Sequence, residues 1–248
     1  MKIFSNKSIS LLLLISLIWL FFSSSLLLAE TIEKSSPEPG VKSATQPSQL
    51  LPKGEQEKIL SQIRQKYSRK QSYSGSFTQK TTYTDSNETT VSTGRIWIQG
   101  PDKMRWEYQS PEKQLLISDG KTIWYYTPDL NQVMVGKIKD IKEARVIVNL
   151  LARLKSEQRG FRLALSRSNS LITVALSPLT SDQAPAFQNL KIIFSAASLM
   201  LRETQMIDLF ANTITIKYKW KSGPDPVMAI THFSFVPPTG CDVMPLGQ

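Results

Sequence analysis

Residues Gln114 to Tyr126, QLLISDGKTIWYY, read as a β-hairpin that is apolar on both faces. Asp119-Gly120 lies between two runs of strand formers, the dipeptide that supplies two φ > 0 residues to a type I′ turn. A two-residue loop there pairs Ser118 with Lys121, Ile117 with Thr122, Leu116 with Ile123 and Leu115 with Trp124. Side chains alternate across a strand. Leu116, Ile123 and Tyr125 therefore share one face, and Leu115, Ile117, Trp124 and Tyr126 share the other. An antiparallel sheet commonly leaves one face to water. Two apolar faces require two covers.

The hairpin sits in a long series of such stretches. Tyr73 to Thr84, Thr90 to Gln99 and Lys103 to Gln109 precede it, and Asn131 to Lys137 follows. Asp85-Ser86-Asn87, Gly100-Pro101-Asp102, Ser110-Pro111 and Pro128-Asp129 punctuate them as turns. The spacing predicts an antiparallel meander. FRLALSR, LITVALS, LKIIFSA, LMLRETQMID and NTITIKYKW resume it from Phe161, and Ile230 to Val236 is expected to close it as a strand. In NTITIKYKW, Ile214, Ile216, Tyr218 and Trp220 face one way while Thr213, Thr215, Lys217 and Lys219 face the other, which makes a half-wet strand.

Two helices interrupt the strands. Ile59, Leu60, Ile63 and Tyr67 recur at helical spacing between Glu55 and Lys70, with acids early and bases late as the helix dipole favours. Asp140 and Glu143 form a capping box ahead of Ile141, Ala144, Ile147, Val148, Leu151 and Leu154, and Gly160 is a suitable stop. The expected fold is mainly β (α+β), an unclosed, curved antiparallel barrel of about eleven or twelve strands with helices over its concave side. On that reading one hairpin face looks toward the helices, and edge aromatics or a partner protect the other. A sandwich filled by the same side chains is the alternative.

The N-terminus is an address. Lys2 and Lys7 precede a charge-free run, and Ile9 to Leu28 spans 20 uncharged residues. This is the pattern of an export signal, with small residues at Ser23, Ser25 and Ala29 for cleavage. Left uncleaved, the run is long enough to anchor the chain, and the lysines direct the rest outward in either case. Residues 30–54 hold Pro37, Pro39, Pro47 and Pro52 among polar residues and form the expected linker. The divisions are thus 1–29 signal, 30–54 disordered linker and 55–248 folded domain.

Charge and rare residues narrow the function. Lys and Arg number 30 against 20 Asp and Glu, a formal charge of +10, spread along the chain rather than blocked. No zinc-finger spacing, aromatic RNA-binding box or basic heptad helix accompanies it, so nucleic acid is not the expected partner. Acidic lipid headgroups or acidic proteins remain compatible with it. Cys241 is the only cysteine and His232 the only histidine. An internal disulfide is therefore excluded, and neither a metal centre nor a histidine-based nucleophile is suggested. Glu107 and Asp119 make a conceivable acid pair, but Asp119 is accounted for as a turn residue. No cofactor and no enzyme activity are expected.

Five stretches in order carry a resemblance: SGSFTQ (Ser74 to Gln79), GRIWI (Gly94 to Ile98), P-x-x-M-R-W-E (Pro101 to Glu107), LLISDGKTIWYYTP (Leu115 to Pro128) and FSFVPPTGCDV (Phe233 to Val243). Together they resemble the LolA family of periplasmic outer-membrane lipoprotein carriers, over roughly Glu55 to Val243. The resemblance implies an open barrel with a helical lid over an apolar cavity, acting as a monomeric chaperone in the periplasm of a Gram-negative bacterium. It implies triacylated lipoproteins as cargo, an ATP-driven extractor in the inner membrane as donor and an outer-membrane acceptor. Phe77, Ile96 or Trp97, Met104, Trp106, Leu116 and Ile123 are the candidates for the acyl-binding wall and Ile147 and Leu151 for the lid. Arg105, which faces opposite to Met104 and Trp106 in a regular strand, is a candidate to pair with Glu107 or to latch lid carbonyls. Many family members carry a basic residue before the turn proline, where this chain has Gly100. Arg95, Lys103 or Arg105 could take its place. A carrier of another lipid, or a sensor of lipidated proteins, is the alternative on the same fold.

Overall fold

The computed structural model describes residues 49–68, 71–100, 102–138, 161–179 and 187–246. The N-terminal apolar run and most of the linker lie outside them, as does the helix expected from Asp140, with Ile147 and Leu151.

Among the described residues the chain forms thirteen strands and one α-helix. The strands are β1 (Gln49–Leu50), β2 (Ser72–Thr82), β3 (Thr89–Gln99), β4 (Lys103–Ser110), β5 (Gln114–Asp119), β6 (Thr122–Thr127) and β7 (Gln132–Lys137). They continue as β8 (Phe161–Ser168), β9 (Leu171–Pro178), β10 (Phe187–Ser195), β11 (Leu201–Asp208), β12 (Thr213–Trp220) and β13 (Asp242–Pro245). The helix α1 spans Lys53–Ser68. All strands join one sheet, in the order β1-β8-β9-β10-β11-β12-β2-β3-β4-β5-β6-β7-β13. Twelve strands pair antiparallel, and β13 joins β7 in parallel. The sheet ends at β1 and β13 without meeting itself, so the curved barrel is unclosed.

The register places one apolar set on the concave side. Leu165 pairs with Val174, Val174 with Ile192, Ile192 with Thr204 and Thr204 with Ile216. Helix α1 packs Ile59, Leu60, Ile63 and Tyr67 onto this part of the sheet. Its Tyr67 hydroxyl donates to the Leu199 carbonyl at 3.2 Å and accepts from the Leu201 amide at 2.9 Å. A side-chain hydrogen bond thus fixes the helix against the β10–β11 turn.

The folded part begins before the expected boundary at Gly54. Gln49 and Leu50 pair with Arg167 and Ser166 on β8, Leu51 is buried, and α1 starts at Lys53.

The hairpin turns one residue later than its Asp-Gly signal predicts. Ser118 pairs with Ile123, Ile117 with Trp124, Leu116 with Tyr125 and Leu115 with Tyr126. The loop is Gly120-Lys121, with Gly120 at φ +93°. Asp119 drives the shift, because its carboxylate accepts the amides of Lys121 and Thr122, both at 2.7 Å. A one-residue displacement of the loop changes partners by two positions, which preserves the face of every side chain.

The largest correction is at the C-terminal end. Ile230–Phe233 is a single 3₁₀ turn, not a strand, and it packs against β4 and β5. Pro224 and Pro226 before it and Pro237-Pro238 after it withhold the amides a ladder needs. This segment covers the second hairpin face. Phe233 is fully buried, Phe235 lies 5.2 Å from the Tyr126 ring, and His232 lies 5.2 Å from Trp97. The chain then forms β13 on the edge of β7 and crosses to the other side, where Leu246 joins Leu116, Ile123 and Tyr125.

Candidate functional site

The concave side of β2–β7 is where the candidate residues converge. Paired positions run Ile96–Trp106–Leu116–Tyr125–Met134 in one row and Ile98–Met104–Ser118–Ile123 in the next. Phe77 pairs with Gly94 on one side and with Tyr218 on the other. Phe77, Ile96, Met104, Trp106, Leu116 and Ile123 therefore lie on one face, as their alternation predicts.

Trp97 does not. It points to the opposite face, against His232, with the Arg95 guanidinium 5.2 Å over its ring. Ile96 and Trp97 are adjacent in a regular strand, so only one of them can line the hollow.

Arg105 faces away from Met104 and Trp106, as its place between them in a regular strand predicts. Its Nε donates to Glu107 Oε1 at 2.7 Å and its Nη1 to the His232 carbonyl at 3.3 Å. It latches the C-terminal segment from the convex side, opposite Met104 and Trp106. Glu107 is the neighbour that alternation puts beside Arg105, and the carbonyl that Arg105 binds belongs to the C-terminal segment. His232 titrates below its ordinary range, first because burial disfavours its cation and then because Arg105 is near.

Aromatic rings form the floor of the hollow. Phe77 lies 4.9 Å from both Trp106 and Tyr108, Trp106 lies 5.9 Å from Tyr218, and Tyr218 stacks on Trp220 at 5.8 Å. Gly94 makes room for this cluster, since a Cβ there would come within 2.7 Å of the Phe77 ring. The tyrosine hydroxyls stay neutral. Burial pushes the phenols of Tyr108, Tyr218 and Tyr125 well above their ordinary value. Tyr108 donates to Gln79 Oε1 at 3.0 Å, and Tyr218 shares a 3.1 Å hydrogen bond with Thr204. The polar atoms under the rings are thus engaged with each other, which leaves an apolar surface above.

Exposure separates wall from filler. Phe77, Ile96, Leu116 and Ile123 are buried, whereas Ile98, Met104, Trp106, Met134 and Trp220 are only half-buried. Two apolar clusters divide this face, one under α1 and one around Leu116 and Ile123, and Trp106 packs against both. Ile98, Met134, Tyr108, Tyr218, Trp220 and Leu246 belong to the site beyond the predicted set. The alternation of Tyr218 and Trp220 could have flagged both. For Leu246, four residues past Asp242, the sequence holds no such signal.

An unclosed sheet whose concave face carries an aromatic floor and two apolar clusters that meet at Trp106 defines a protein built to hold hydrophobic cargo. The family model described as Outer membrane lipoprotein carrier protein LolA matches residues 68–226. Relatives named outer-membrane lipoprotein carrier protein agree with it. The protein of Methylobacillus flagellatus is 30% identical over 68% of this chain and 80% of its own. That of Chromobacterium violaceum is 31% identical over 66% of this chain and 77% of its own. A crystal structure of an uncharacterized conserved protein from Thermus thermophilus aligns at TM-score 0.47 and 13% identity, covering 77% of this chain and 99% of that one. The chain belongs to the LolA family.

Proposed function

We propose that this protein is an exported chaperone that holds the acyl chains of lipoproteins on its concave face and carries them from the inner to the outer membrane. One observation carries the reading: in a LolA-family chain, Met104, Trp106 and Met134 stand half-exposed, with Ile98 and Trp220, on a concave face where Phe77, Ile96, Leu116 and Ile123 are buried. Unbranched thioethers adapt to a flexible chain better than branched side chains do. Burying a methylene stabilises by about 0.8 kcal/mol, so one acyl chain of about sixteen carbons resists leaving a bilayer by roughly 12 kcal/mol. A carrier must replace most of that burial and still release the chain. Half-exposed Met104, Trp106 and Met134 meet both demands, because cargo would bury apolar surface that the protein leaves partly to solvent. The donor would be an ATP-driven extractor in the inner membrane, the acceptor an outer-membrane protein, and the carrier a monomer in the periplasm.

A release assay tests this. Inner-membrane vesicles with their own extractor and labelled triacylated lipoprotein are incubated with the exported form of the protein. ATP-dependent appearance of label in the soluble fraction, bound to this protein, is the expected result. No release by folded protein, with the extractor shown to be active, overturns the lipoprotein role. Lipid extraction and mass spectrometry of the purified protein then show whether another lipid occupies the hollow.

A further inference from the structure

The convex face of the sheet carries a second pattern that cargo binding does not use. Across β10, β11, β12, β2 and β3 one row reads Lys191, Gln205, Thr215, Lys80 and Val91. Lys217 lies one row away and Lys219 two, facing the same way, and Ile207 flanks the row on its other side. The four lysines are exposed, and none forms an ion pair among the described residues. Glu203 is the acid within these rows, and the Gln205 side-chain amide donates to it at 2.6 Å. Val91 and Ile207 are 53% and 38% exposed amid these cations.

At the border of this face the β11–β12 turn holds Leu209 and Phe210 outward, 47% and 55% exposed. The turn is preset. The buried Asp208 carboxylate accepts the amides of Phe210 at 2.8 Å and Asn212 at 2.9 Å, and also the Asn212 side chain at 2.9 Å. Thr84 of the neighbouring loop donates to the Ala211 carbonyl at 2.6 Å, and Ala211 takes a left-handed φ of 64°. A turn braced this heavily keeps two large apolar side chains in water, which no requirement of folding explains.

We propose that this lysine face and its Leu209-Phe210 tip dock on a bilayer containing anionic lipid. Clustered lysines are drawn to an anionic leaflet, and an aromatic-aliphatic tip partitions into the headgroup boundary beneath it. Interleaved cations and apolar side chains match that boundary better than an acidic protein face or a nucleic-acid backbone. Asp85 and Glu88 are exposed in the loop that Thr84 ties to this turn, so the lysine rows and not this loop would face an anionic leaflet. The acyl-binding hollow opens on the opposite side of the same sheet, so this docking is independent of cargo.

The test reads the tip itself, because the N-terminal apolar run can bind any vesicle. In full-length protein carrying Cys241→Ser, an environment-sensitive fluorophore is attached through Phe210→Cys, or as a control through Val236→Cys, at a site 86% exposed on the C-terminal segment. Vesicles of phosphatidylethanolamine with phosphatidylglycerol are compared with phosphatidylcholine vesicles. The expected result is a blue-shifted, brighter signal at position 210 on anionic vesicles alone, with position 236 unchanged. Lys80→Gln, Lys191→Gln, Lys217→Gln and Lys219→Gln together should weaken that response about tenfold or more, with the melting temperature unchanged. A tip that stays in water, equal responses at both positions, or equal responses on both vesicle types overturns the proposal.

Discussion

Four tyrosine hydroxyls link single residues to the stability of the hollow. Burial raises the phenols of Tyr67, Tyr108, Tyr125 and Tyr218 above their ordinary value of 10.0. In the unfolded chain they ionise near that value, while in the fold they hold their protons. The stability they contribute is therefore complete below about pH 10 and is lost as pH rises past it toward the folded values. Each phenol costs about 1.4 kcal/mol per pH unit in that window. Urea unfolding followed from about pH 9 to pH 11 should show a steep loss above pH 10, and Tyr108→Phe should make the slope shallower by one group's share. A stability flat to pH 11 contradicts the burial of these groups. Gly94 acts at the same scale through absence, since the Phe77 ring occupies the place of its Cβ.

Among the described elements, the C-terminal segment covers the convex side of the hairpin. Ile117 and Val133 are fully buried although they face away from the hollow. The turn Ile230–Phe233 on β4 and β5, and β13 beside β7, provide the cover there. Phe233→Ala removes a fully buried ring and should destabilise the protein by about 3–4 kcal/mol in equilibrium denaturation. A loss below about 1 kcal/mol would mean that the segment is not a structural cover. The alternation THFSFV mimicked a strand here, and the flanking prolines were the signal that spoke against it. In the hairpin the strands and faces were legible in the sequence, but the loop moved by one residue because Asp119 prefers to accept two amides rather than occupy the turn.

For the molecule as a whole, the open sheet leaves two apolar clusters joined at Trp106. Closing the sheet would fill the hollow with its own side chains, as small barrels do. Trp106→Ala should reduce lipoprotein release about tenfold or more, with a stability loss of about 2 kcal/mol for a half-exposed ring. The release assay read beside a melting curve checks this. Normal release by the variant would place the cargo elsewhere. Six of the seven wall candidates share the concave face because alternation carries that information locally. Ile96 and Trp97 stood as alternatives because choosing between adjacent residues requires knowing which side the sheet bends toward, whereas the turn of Arg105 away from Met104 and Trp106 follows from alternation alone.

The sequence by itself determined the strands from Tyr73 to Lys137 and from Phe161 to Trp220, the first helix and the alternation of side chains along them, which follow from residue periodicity and turn chemistry acting over a few neighbours. Its five ordered motifs carried the resemblance to the family. Only the tertiary structure decided what covers the second face of the hairpin, which carbonyl Arg105 binds and how Leu246 reaches the hollow. Each of these joins positions more than a hundred residues apart, or sets a parallel edge pairing, and no local pattern encodes such partners.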